Sequence, residues 1–363
     1  MIKKKIAFLI PCLGPGGAER VIVTLANYFF EKYDVTLIVL FKTTIYYEIS
    51  NDIPILYLDE KSVPSTSIIK AIKSNLLYLK KIVRIVKNNN IDILIGFTTP
   101  VNVLTIIASK ITKGYSIISE RNCPHYSEPN FFWKLMRRLS FAFADKLVVQ
   151  THLVSAFYYN YISKDKIIVI PNPINEDLIS KRDEYKNRDN IILTVGRLDT
   201  NKNQRLLIEA FANLNLINWK LVIAGDGTLR EEYKKLINSL DIADKVDLVG
   251  NTKNISDYYN SAKIFVFTSR SEGFPNALLE ATAFGLPCIS TDCLSGPSEI
   301  IKHNENGYLI EVNNKEQLED RLKSLVNNPI RCVEISKKSL ILAERFRIDK
   351  ICQQWERLIL KLI

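Results

Sequence analysis

The stretch NIILTVGRLDTNKNQRLL, residues 190–207, decides the fold predicted for this chain. Its first part, Asn190–Val195, is a continuous apolar run with the length of a buried β-strand. A polar loop that starts at Gly196 follows, and Asn203–Asn213 then has the spacing of an amphipathic helix. A strand, a short loop and a helix in this order form the repeating unit of a parallel α/β sheet.

The same alternation continues on both sides of this stretch. The predicted strands are Lys5–Cys12, Val35–Phe41, Ile91–Gly96, Tyr115–Ser119, Lys146–Gln150, Lys166–Ile170, Asn190–Val195, Trp219–Ala224, Lys245–Leu248, Ile264–Thr268 and Pro287–Ser290. The predicted helices are Ala18–Phe30, Ser67–Lys87, Val101–Lys110, Asn203–Asn213, Thr228–Ser239, Pro275–Phe284 and Ile348–Leu362. This pattern indicates an α/β protein with parallel sheets that are covered on both faces.

The Pro171-Asn172-Pro173 step and the polar stretch after it divide the chain into two halves. We predict a Rossmann-like domain over 1–172, a linker over 173–190, a second Rossmann-like domain over 191–345 and a C-terminal helix within 346–363. Ligands of open parallel sheets bind beyond the carboxyl ends of the strands. Two such sheets that face each other across a cleft would let an enzyme hold one substrate on each half.

The composition is that of a folded globular protein, and the distribution of charge suits an anionic partner. Of 363 residues, 47% are hydrophobic and 24% are charged. Residues 1–172 hold 22 Lys and Arg against 12 Asp and Glu, whereas 173–363 hold 27 of each, so the net charge of +10 belongs to the first half. Such a field suits phospholipid headgroups, a lipid pyrophosphate or nucleic acid. Six cysteines without a CxxC pair favour reduced cytoplasmic thiols, and no apolar run reaches the ~18–20 residues of a transmembrane helix.

Two cations lie in the loop after the strand Asn190–Val195. Arg197 and Lys202 are placed at the carboxyl edge of the predicted sheet. A guanidinium fork and an ammonium group there can hold a diphosphate and neutralise the charge that grows on a departing nucleotide. We therefore predict that both residues are catalytic and donor-binding, although two solvated surface cations would give the same pattern.

A second loop, Glu272-Gly273-Phe274-Pro275-Asn276-Ala277-Leu278-Leu279-Glu280, also joins a strand to a helix. We predict Pro275 as the first helical residue, so that the N–H groups of Asn276, Ala277 and Leu278 point at an anion with help from the helix dipole. Glu280 would reach a ribose, and Glu272 would bind sugar hydroxyls. Taken alone, Glu272 is equally well interpreted as a charge that interacts with the helix N-terminus. Taken alone, Glu280 is equally well interpreted as part of a solvated helix face.

The third loop, Gly14-Pro15-Gly16-Gly17-Ala18-Glu19, is a weak phosphate signal and a poor dinucleotide fingerprint. Glu19 stands where the fingerprint needs Gly or Ala, and the second strand lacks the acid that binds a ribose. No Asp-x-Asp occurs in the chain, so a diphosphate would be held by cations and helix amides, and no metal site is predicted.

The spacing from Glu272 to Glu280, Gly196-Arg197-Leu198 with Lys202, and Gly16-Gly17-Ala18-Glu19 together resemble the family 4 glycosyltransferases of the GT-B fold. The likeness covers essentially the whole chain and is greatest to bacterial enzymes that extend O-antigen, capsule or lipid-linked glycans. Segments Ser119–Asn122 and Asp292–Glu299 resemble the same subgroup.

The resemblance implies a retaining, metal-independent transferase without a cofactor, whose N-terminal domain binds the acceptor and whose C-terminal domain binds the nucleotide sugar. The donor-binding residues that it implies are Gly16, Gly17, Arg197, Lys202, Asn251, Phe274, Asn276, Ala277, Leu278 and Glu280. Glu272 would bind the donor sugar and would be the third catalytic residue beside Arg197 and Lys202. The Val249–Thr252 segment would line the base pocket, and the final helix would cross back to the first domain. Arg121 stands where many relatives have a histidine, and the nearby His125 is more simply a loop residue without a role.

Basic residues in the first half predict contact with a membrane. Between Lys61 and Ile91 there are seven basic residues and no acidic ones. An apolar stripe of the predicted helix, Ile69, Ile72, Leu76, Leu79, Val83 and Val86, is expected to face the core. Basic residues predicted at the acceptor or membrane surface are Lys70, Lys73, Lys80, Arg84, Arg121, Arg137 and Arg138. A core helix with a solvated basic edge is the alternative.

From these residues we expect a hexose or N-acetylhexosamine transferase that uses a UDP-sugar and acts on a lipid-linked, polyprenyl diphosphate or cell-envelope glycan. It would work in the cytoplasm, at the inner face of the membrane. A UDP-sugar 2-epimerase of the same fold is one alternative. A nucleic-acid-binding module is another, disfavoured because no recognition motif is present.

Overall fold

The computed structural model describes residues 3–61, 68–124, 129–184 and 187–362, with only the backbone of residues 68 and 69. The chain divides into two compact units, one made of Met1–Asn172 with Ile351–Ile363 and the other of Pro173–Lys350. Each unit is a parallel sheet covered by helices.

The first unit contains a seven-stranded sheet of order β3-β2-β1-β4-β5-β6-β7. Its strands are β1 Lys5–Ile10, β2 Asp34–Phe41, β3 Ile55–Asp59, β4 Ile93–Phe97, β5 Tyr115–Ser119, β6 Lys146–Val149 and β7 Ile167–Val169. Its helices are α1 Gly17–Phe30, α2 Ile68–Asn89, α3 Thr99–Thr112, α4 Phe131–Ser140 and α5 His152–Tyr158. Strand β1 lies where the strand order reverses, because β2 pairs with one of its edges and β4 with the other.

The second unit contains a six-stranded sheet of order β10-β9-β8-β11-β12-β13. Its strands are β8 Ile191–Val195, β9 Lys220–Ala224, β10 Val246–Gly250, β11 Ile264–Phe267, β12 Cys288–Thr291 and β13 Gly307–Ile310. Its helices are α6 Glu176–Ile179, α7 Gln204–Leu214, α8 Arg230–Ser239, α9 Ile255–Ser261, α10 Asn276–Ala283, α11 Pro297–Ile300, α12 Lys315–Val326 and α13 Pro329–Ala343. This strand order is that of a dinucleotide-type Rossmann sheet.

Helix α14, Ile348–Leu360, follows the second unit, and its residues from Ile351 onward belong to the first. Trp355 is fully buried there, with its ring stacked on Phe97 at 6.1 Å between centroids. Lys32 and Glu356 form an ion pair of 2.9 Å within the same unit. An aromatic anchor of this size explains why the chain end packs rather than frays.

Residues 173–190, expected as a linker, belong to the second unit. The N–H of Ile174 donates to the carbonyl of Phe346 at 2.8 Å. The guanidinium of Arg188 donates to the carbonyls of Tyr259, Ala262 and Phe284 at 2.8, 2.7 and 2.6 Å. Burial of that guanidinium lowers the pKa of Arg188, and satisfied buried donors of this kind fix a segment rather than leave it flexible.

Several elements that the sequence did not predict are short. Strands β3 and β13 have five and four residues, too few for a clear period. The longer helices α4, α12 and α13, of 10, 12 and 15 residues, were not predicted either. Helix α10 begins at Asn276, one residue later than expected, because Pro275 has φ −84 and ψ 83 and is the N-cap.

Candidate active site

The site lies in the second unit, where the strand order reverses between β8 and β11. Each strand is followed by one of the loops singled out in the sequence, the β8–α7 loop and the β11–α10 loop. Because the strands are parallel neighbours, their carboxyl ends place both loops at one edge of the sheet. This is the position at which Rossmann-type sheets bind ligands.

Side chains within the two loops hold them together. Asp199 Oδ1 accepts the backbone N–H groups of Asn201 at 3.0 Å and Lys202 at 2.9 Å, which turns the β8–α7 loop. Ser271 Oγ donates to Asn201 Oδ1 at 2.7 Å, and Thr268 Oγ donates to the carbonyl of Lys202 at 2.8 Å. The loop that carries Lys202 is thus fixed to the loop that carries Glu272.

Lys202 and Glu272 form the central ion pair of the site. The Nζ atom lies 2.6 Å from Oε1, and the two side chains are only 20% and 10% exposed. The ammonium group also lies 5.4 Å from the centre of the Phe267 ring. A half-desolvated ammonium with three donor protons can keep a carboxylate partner and bind an incoming phosphate oxygen as well.

A cavity of about 290 Å³ opens beside this pair. It is lined by Val195, Gly196, Arg197, Ala224, Gly225, Gly250, Asn251, Thr252, Ile255 and Glu280. The lining comes from the carboxyl ends of three adjacent strands and from α9 and α10. The structure therefore brings Arg197, Asn251 and Glu280, which the sequence suggested separately, to one concave surface.

Arg197 lies at the open side of the cavity, with its side chain 82% exposed. Its Nε atom is 3.5 Å from Asp199 Oδ2, a loose contact for a charged pair. An exposed guanidinium tethered at one end can turn toward an anion without the loss of a buried partner.

Close packing of backbone forms the floor of the cavity. Gly225 has φ +136, and a methyl group on it would lie 2.0 Å from the carbonyl oxygen of Gly196. Its N–H donates to the carbonyl of Gly250 at 2.8 Å. Only glycine allows this backbone conformation together with this approach.

Glu280 lies in the second turn of α10 and is positioned by Tyr259 of α9. The Tyr259 hydroxyl donates to Glu280 Oε2 at 3.2 Å and lies 3.3 Å from the carbonyl of Ala277. The tyrosine is fully buried, so its ring is fixed by the core. No sequence signal links the two residues, since they are 21 positions apart on different helices.

The N-terminus of α10 supplies two amides rather than the three expected. The first helical hydrogen bond runs from Leu279 N–H to the Pro275 carbonyl at 3.1 Å, and the N–H groups of Ala277 and Leu278 precede it. The N–H of Asn276, however, donates to the carbonyl of Phe274 at 3.1 Å and closes a turn. Helix dipole and amides together still favour an anion at this end.

The side chain of Phe274 is wrong as a donor contact. It is 6% exposed and packs against Phe346, with ring centroids 5.9 Å apart. Leu278 is fully buried as well. Both side chains belong to the apolar core of the unit, so only their backbone groups can reach a ligand.

In the first unit, Gly16 and Gly17 begin α1, with Gly16 as the N-cap and Gly17 exposed. Glu19 lies over this turn, because a methyl group on Gly16 would be 2.0 Å from its Oε2. The N–H of Gly16 donates to the carbonyl of Gly14 at 3.1 Å. A carboxylate over the helix N-terminus interacts favourably with the helix dipole, and an anionic ligand would have to displace it.

Arg121 is wrong as a surface contact, because it is only 8% exposed. Its guanidinium lies 4.8 Å from the centre of the Phe97 ring and 5.8 Å from that of Trp355, and Nη1 donates to Asn172 Oδ1 at 2.8 Å. Burial lowers the pKa of Arg121 to about 9. Its place between the sheet and α14 is that of a packing residue; the neighbouring His125 lies outside the described residues.

Arg137 is likewise wrong as a membrane contact. It is 3% exposed, with its guanidinium 5.2 Å from the ring of Phe157 and 6.0 Å from that of Tyr158. The buried Glu120 acts on the same group, since its carboxylate and Arg137 attract each other. The other predicted membrane residues, Lys70, Lys73, Lys80, Arg84 and Arg138, are exposed.

The described part of the chain contains neither a cluster of metal ligands nor a membrane-spanning helix. Among residues 3–61, 68–124, 129–184 and 187–362, no three His, Cys, Asp or Glu side chains are grouped as metal ligands. Within the same ranges, no helix combines the length and hydropathy that bilayer crossing requires.

Burial raises the pKa of Cys293, the cysteine beside Glu272, to about 12, so its thiol stays protonated and is a poor nucleophile.

Comparison with known proteins identifies the family of the chain. Residues 175–340 match the model described as Glycosyl transferases group 1, and residues 15–178 match that of Glycosyltransferase Family 4. A Campylobacter jejuni protein named GalNAc-alpha-(1->4)-GalNAc-alpha-(1->3)-diNAcBac-PP-undecaprenol alpha-1,4-N-acetyl-D-galactosaminyltransferase is 30% identical over 358 residues, which cover 98% of each chain.

Solved structures agree on the fold. A Rickettsia africae glycosyltransferase superposes with a TM-score of 0.84 at 21% identity, covering 99% of this chain and 98% of that one. Anabaena HepE in complex with UDP gives 0.80 at 18% identity, covering 99% and 100%.

Fold and site together thus define a glycosyltransferase with the GT-B fold, an enzyme of the hexosyltransferase class. The chain belongs to the family 4 glycosyltransferases.

Proposed function

We propose that the enzyme transfers a hexose or N-acetylhexosamine from a UDP-sugar to a lipid-linked or other cell-envelope glycan, with retention of anomeric configuration and without a metal. The observation that carries this proposal is the 290 Å³ cavity beside the Lys202–Glu272 pair, which has Arg197 at its opening and Glu280 in its wall. Cations, a helix N-terminus and a ribose-reaching carboxylate around one cavity suit a nucleoside diphosphate sugar.

The donor would lie along the carboxyl ends of the strands. The base occupies the part formed by Gly250, Asn251 and Thr252, and Glu280 accepts ribose hydroxyls. The diphosphate contacts Arg197, Lys202 and the amides that begin α10. Because positive charge is already concentrated there, the leaving UDP is stabilised without a divalent cation. Glu272, held by Lys202, accepts hydroxyls of the sugar.

Similarity supports the choice of UDP and of the acceptor class. The name of the Campylobacter relative includes PP-undecaprenol, and HepE of the same fold was solved with UDP. We place the acceptor on the first unit, with a polyprenyl diphosphate as the anchor. The enzyme would then act from the cytoplasm, associated peripherally with the inner face of the membrane, where the exposed basic residues of α2 and α4 meet anionic lipid.

The test combines binding with turnover on the full chain. A thermal-shift series with UDP, GDP, CDP, NAD, UDP-glucose and UDP-N-acetylgalactosamine should show stabilisation by UDP compounds, since a ligand at about 100 times its dissociation constant adds about 2.7 kcal/mol. Transfer to a polyprenyl diphosphate glycan should be undiminished in EDTA and give an axial, α-configured product from an α-configured donor.

Other outcomes would decide against the proposal in recognisable ways. Activity lost in EDTA and restored by Mg²⁺ contradicts metal independence, and an inverted product contradicts retention. Conversion of the UDP-sugar without any acceptor would identify a 2-epimerase. Salt-dependent binding of DNA with no stabilisation by UDP would identify a nucleic-acid-binding protein.

Tyr259 is predicted to position Glu280 without touching the reacting atoms. In Tyr259→Phe, the hydroxyl that bonds the Glu280 carboxylate is lost, and KM for the UDP-sugar should rise about fivefold to tenfold, because poorer positioning of that carboxylate costs about 1 kcal/mol of donor binding. The value of kcat should stay within a factor of about two, because UDP binding and not bond cleavage is affected. Steady-state kinetics and calorimetric titration with UDP measure both, and Tyr258→Phe, one residue away, is the control. A fall in kcat at constant KM would show a different role.

A further inference from the structure

Helix α4 packs Trp133 and Met136 against the core but leaves a second apolar stripe exposed. Its buried residue is Arg137, whereas Phe131, Leu135 and Leu139, spaced four apart on one stripe, are 81%, 41% and 57% exposed. Soluble proteins normally bury such a stripe and expose the arginine. An outward apolar stripe three residues long indicates a surface that another phase or molecule covers.

The apolar stripe of α4 is continuous with its neighbours. One depression of about 400 Å³ between α3 and α4 is lined by Val103, Ile106, Ile107, Lys110, Ile111, Met136, Leu139, Ser140 and Phe143. A second, of about 450 Å³ between α2 and α3, is lined by Leu76, Leu79, Lys80, Val83, Arg84, Lys87, Asn88 and Ile111. Because Ile111 lines both, the two form one surface, which we call the docking face.

Exposure along the docking face is high for residues of this size. Leu76, Ile111 and Phe143 are 52%, 50% and 62% exposed. Of the predicted stripe on α2, Leu79, Val83 and Val86 pack against the core formed with β1, β2 and β4. Ile72 and Leu76 are instead 40% and 52% exposed, so the prediction that the stripe faces the core is wrong for these two residues. The side chain of Ile69 lies outside the described part of the chain.

The charge around the docking face has one sign. Helices α2, α3 and α4 contain ten Lys and Arg and no Asp or Glu. Lys81 pairs with Asp59 at 2.9 Å and Lys110 lies 3.4 Å from Asp145, but Lys80, Arg84 and Arg138 are exposed beside the apolar residues. A second copy of the chain would bring like charges together, whereas anionic lipid would neutralise them.

We propose that the docking face inserts its apolar side chains into the interface of an anionic bilayer, with the surrounding cations on lipid headgroups. This specifies the peripheral location proposed above, but it rests on lipid contact and not on sugar transfer. The attachment combines two contributions, apolar burial and charge, and neither includes a membrane-spanning segment.

Flotation of the full chain with vesicles tests both contributions. The protein should bind vesicles with 30% phosphatidylglycerol and not pure phosphatidylcholine, since each cation near an anionic surface contributes about a fivefold increase in partitioning. Lys80→Ala/Arg84→Ala/Arg138→Ala should weaken binding about 100-fold. Leu139→Ser/Phe143→Ser should weaken it about tenfold or more, with the charge unchanged.

The matched control is Ile330→Ser/Ile341→Ser, which removes two equally exposed apolar residues of the second unit, 75% and 72% exposed, and should bind like the wild type. Thermal stabilisation by UDP should be the same in all variants. A result against membrane binding can therefore be distinguished from a result against the proposed donor site. Wild-type vesicle binding by Leu139→Ser/Phe143→Ser would overturn the proposal. So would a dimer in lipid-free solution that this variant converts to monomer, because the face would then join two copies.

Discussion

Lys202→Ala should lower turnover about 100- to 1000-fold, the loss typical of removing one group that stabilises developing charge. The ammonium of Lys202 is 2.6 Å from Glu272 in a pair that is mostly shielded from water. If the diphosphate binds as proposed, removing the ammonium takes away a cation that would stabilise it on departure. The change also leaves a carboxylate that is 10% exposed without its partner. Both effects act in the same direction, since the uncompensated carboxylate would also repel the donor.

A double variant separates catalysis from structure. Lys202→Ala alone should also lower the unfolding midpoint, whereas Lys202→Ala/Glu272→Gln removes the unpaired charge and should regain stability without regaining turnover. Lys234→Ala, which breaks the exposed pair with Glu231, is the control for loss of a lysine. Recovery of turnover in the double variant would show that Lys202 serves only to neutralise Glu272.

Arg197→Ala should also lower turnover strongly. It should leave the unfolding midpoint unchanged, because the Arg197 side chain is 82% exposed.

Gly225→Ala should destabilise the second unit by about 2–6 kcal/mol, the sum of about 1–3 kcal/mol for a strained backbone and about 1–3 kcal/mol for a steric clash. The backbone at Gly225 has φ +136, and the added methyl group would be 2.0 Å from the carbonyl oxygen of Gly196. The backbone at Gly225 cannot shift easily away from Gly196, because Gly225 is also hydrogen-bonded to Gly250. The unfolding midpoint should fall by about 10 °C or more, and UDP binding should be lost as the cavity floor moves.

The control for this prediction is Gly196→Ala. A methyl group there would meet only side-chain carbons of Lys202, at 3.6 and 3.7 Å, which is ordinary contact. Its unfolding midpoint should stay within about 2–4 °C of the wild type, the shift for about 1 kcal/mol in a unit of this size. An unfolding midpoint of Gly225→Ala equal to that of Gly196→Ala would show that the two loops do not pack as described.

The sequence placed the β8–α7 and β11–α10 loops at the carboxyl ends of their strands because these positions follow from local pattern. An apolar run before Gly196 and a helical pattern after Asn203 place Arg197 and Lys202 at a sheet edge, whatever else the chain does. The same reasoning located Glu280 beside the cavity. Asp199 was missed, although its position two residues before Asn201 is a signal for an Asx turn.

Residues that act across long sequence separations could not be predicted. Tyr259 reaches Glu280 only because α9 and α10 pack side by side, and nothing in either segment indicates the other. Arg121 and Arg137 looked like surface cations, since a composition pattern cannot show that aromatic rings enclose a guanidinium. The apolar stripe of α4 was hidden for the same reason, because the direction of a helix face depends on what it packs against.

The sequence alone determined three properties of the protein: the order of strands and loops, the excess of basic residues in the first half and the resemblance to a family. These properties depend on neighbours in the chain, whose spacing sets the period of burial and the place of each loop. The tertiary structure decided which charges meet, which are buried and which apolar faces stay outside. Burial and contact distance arise only when separate elements pack, so Lys202 could acquire Glu272 as a partner, and Arg137 could lose its contact with water, only in the folded chain.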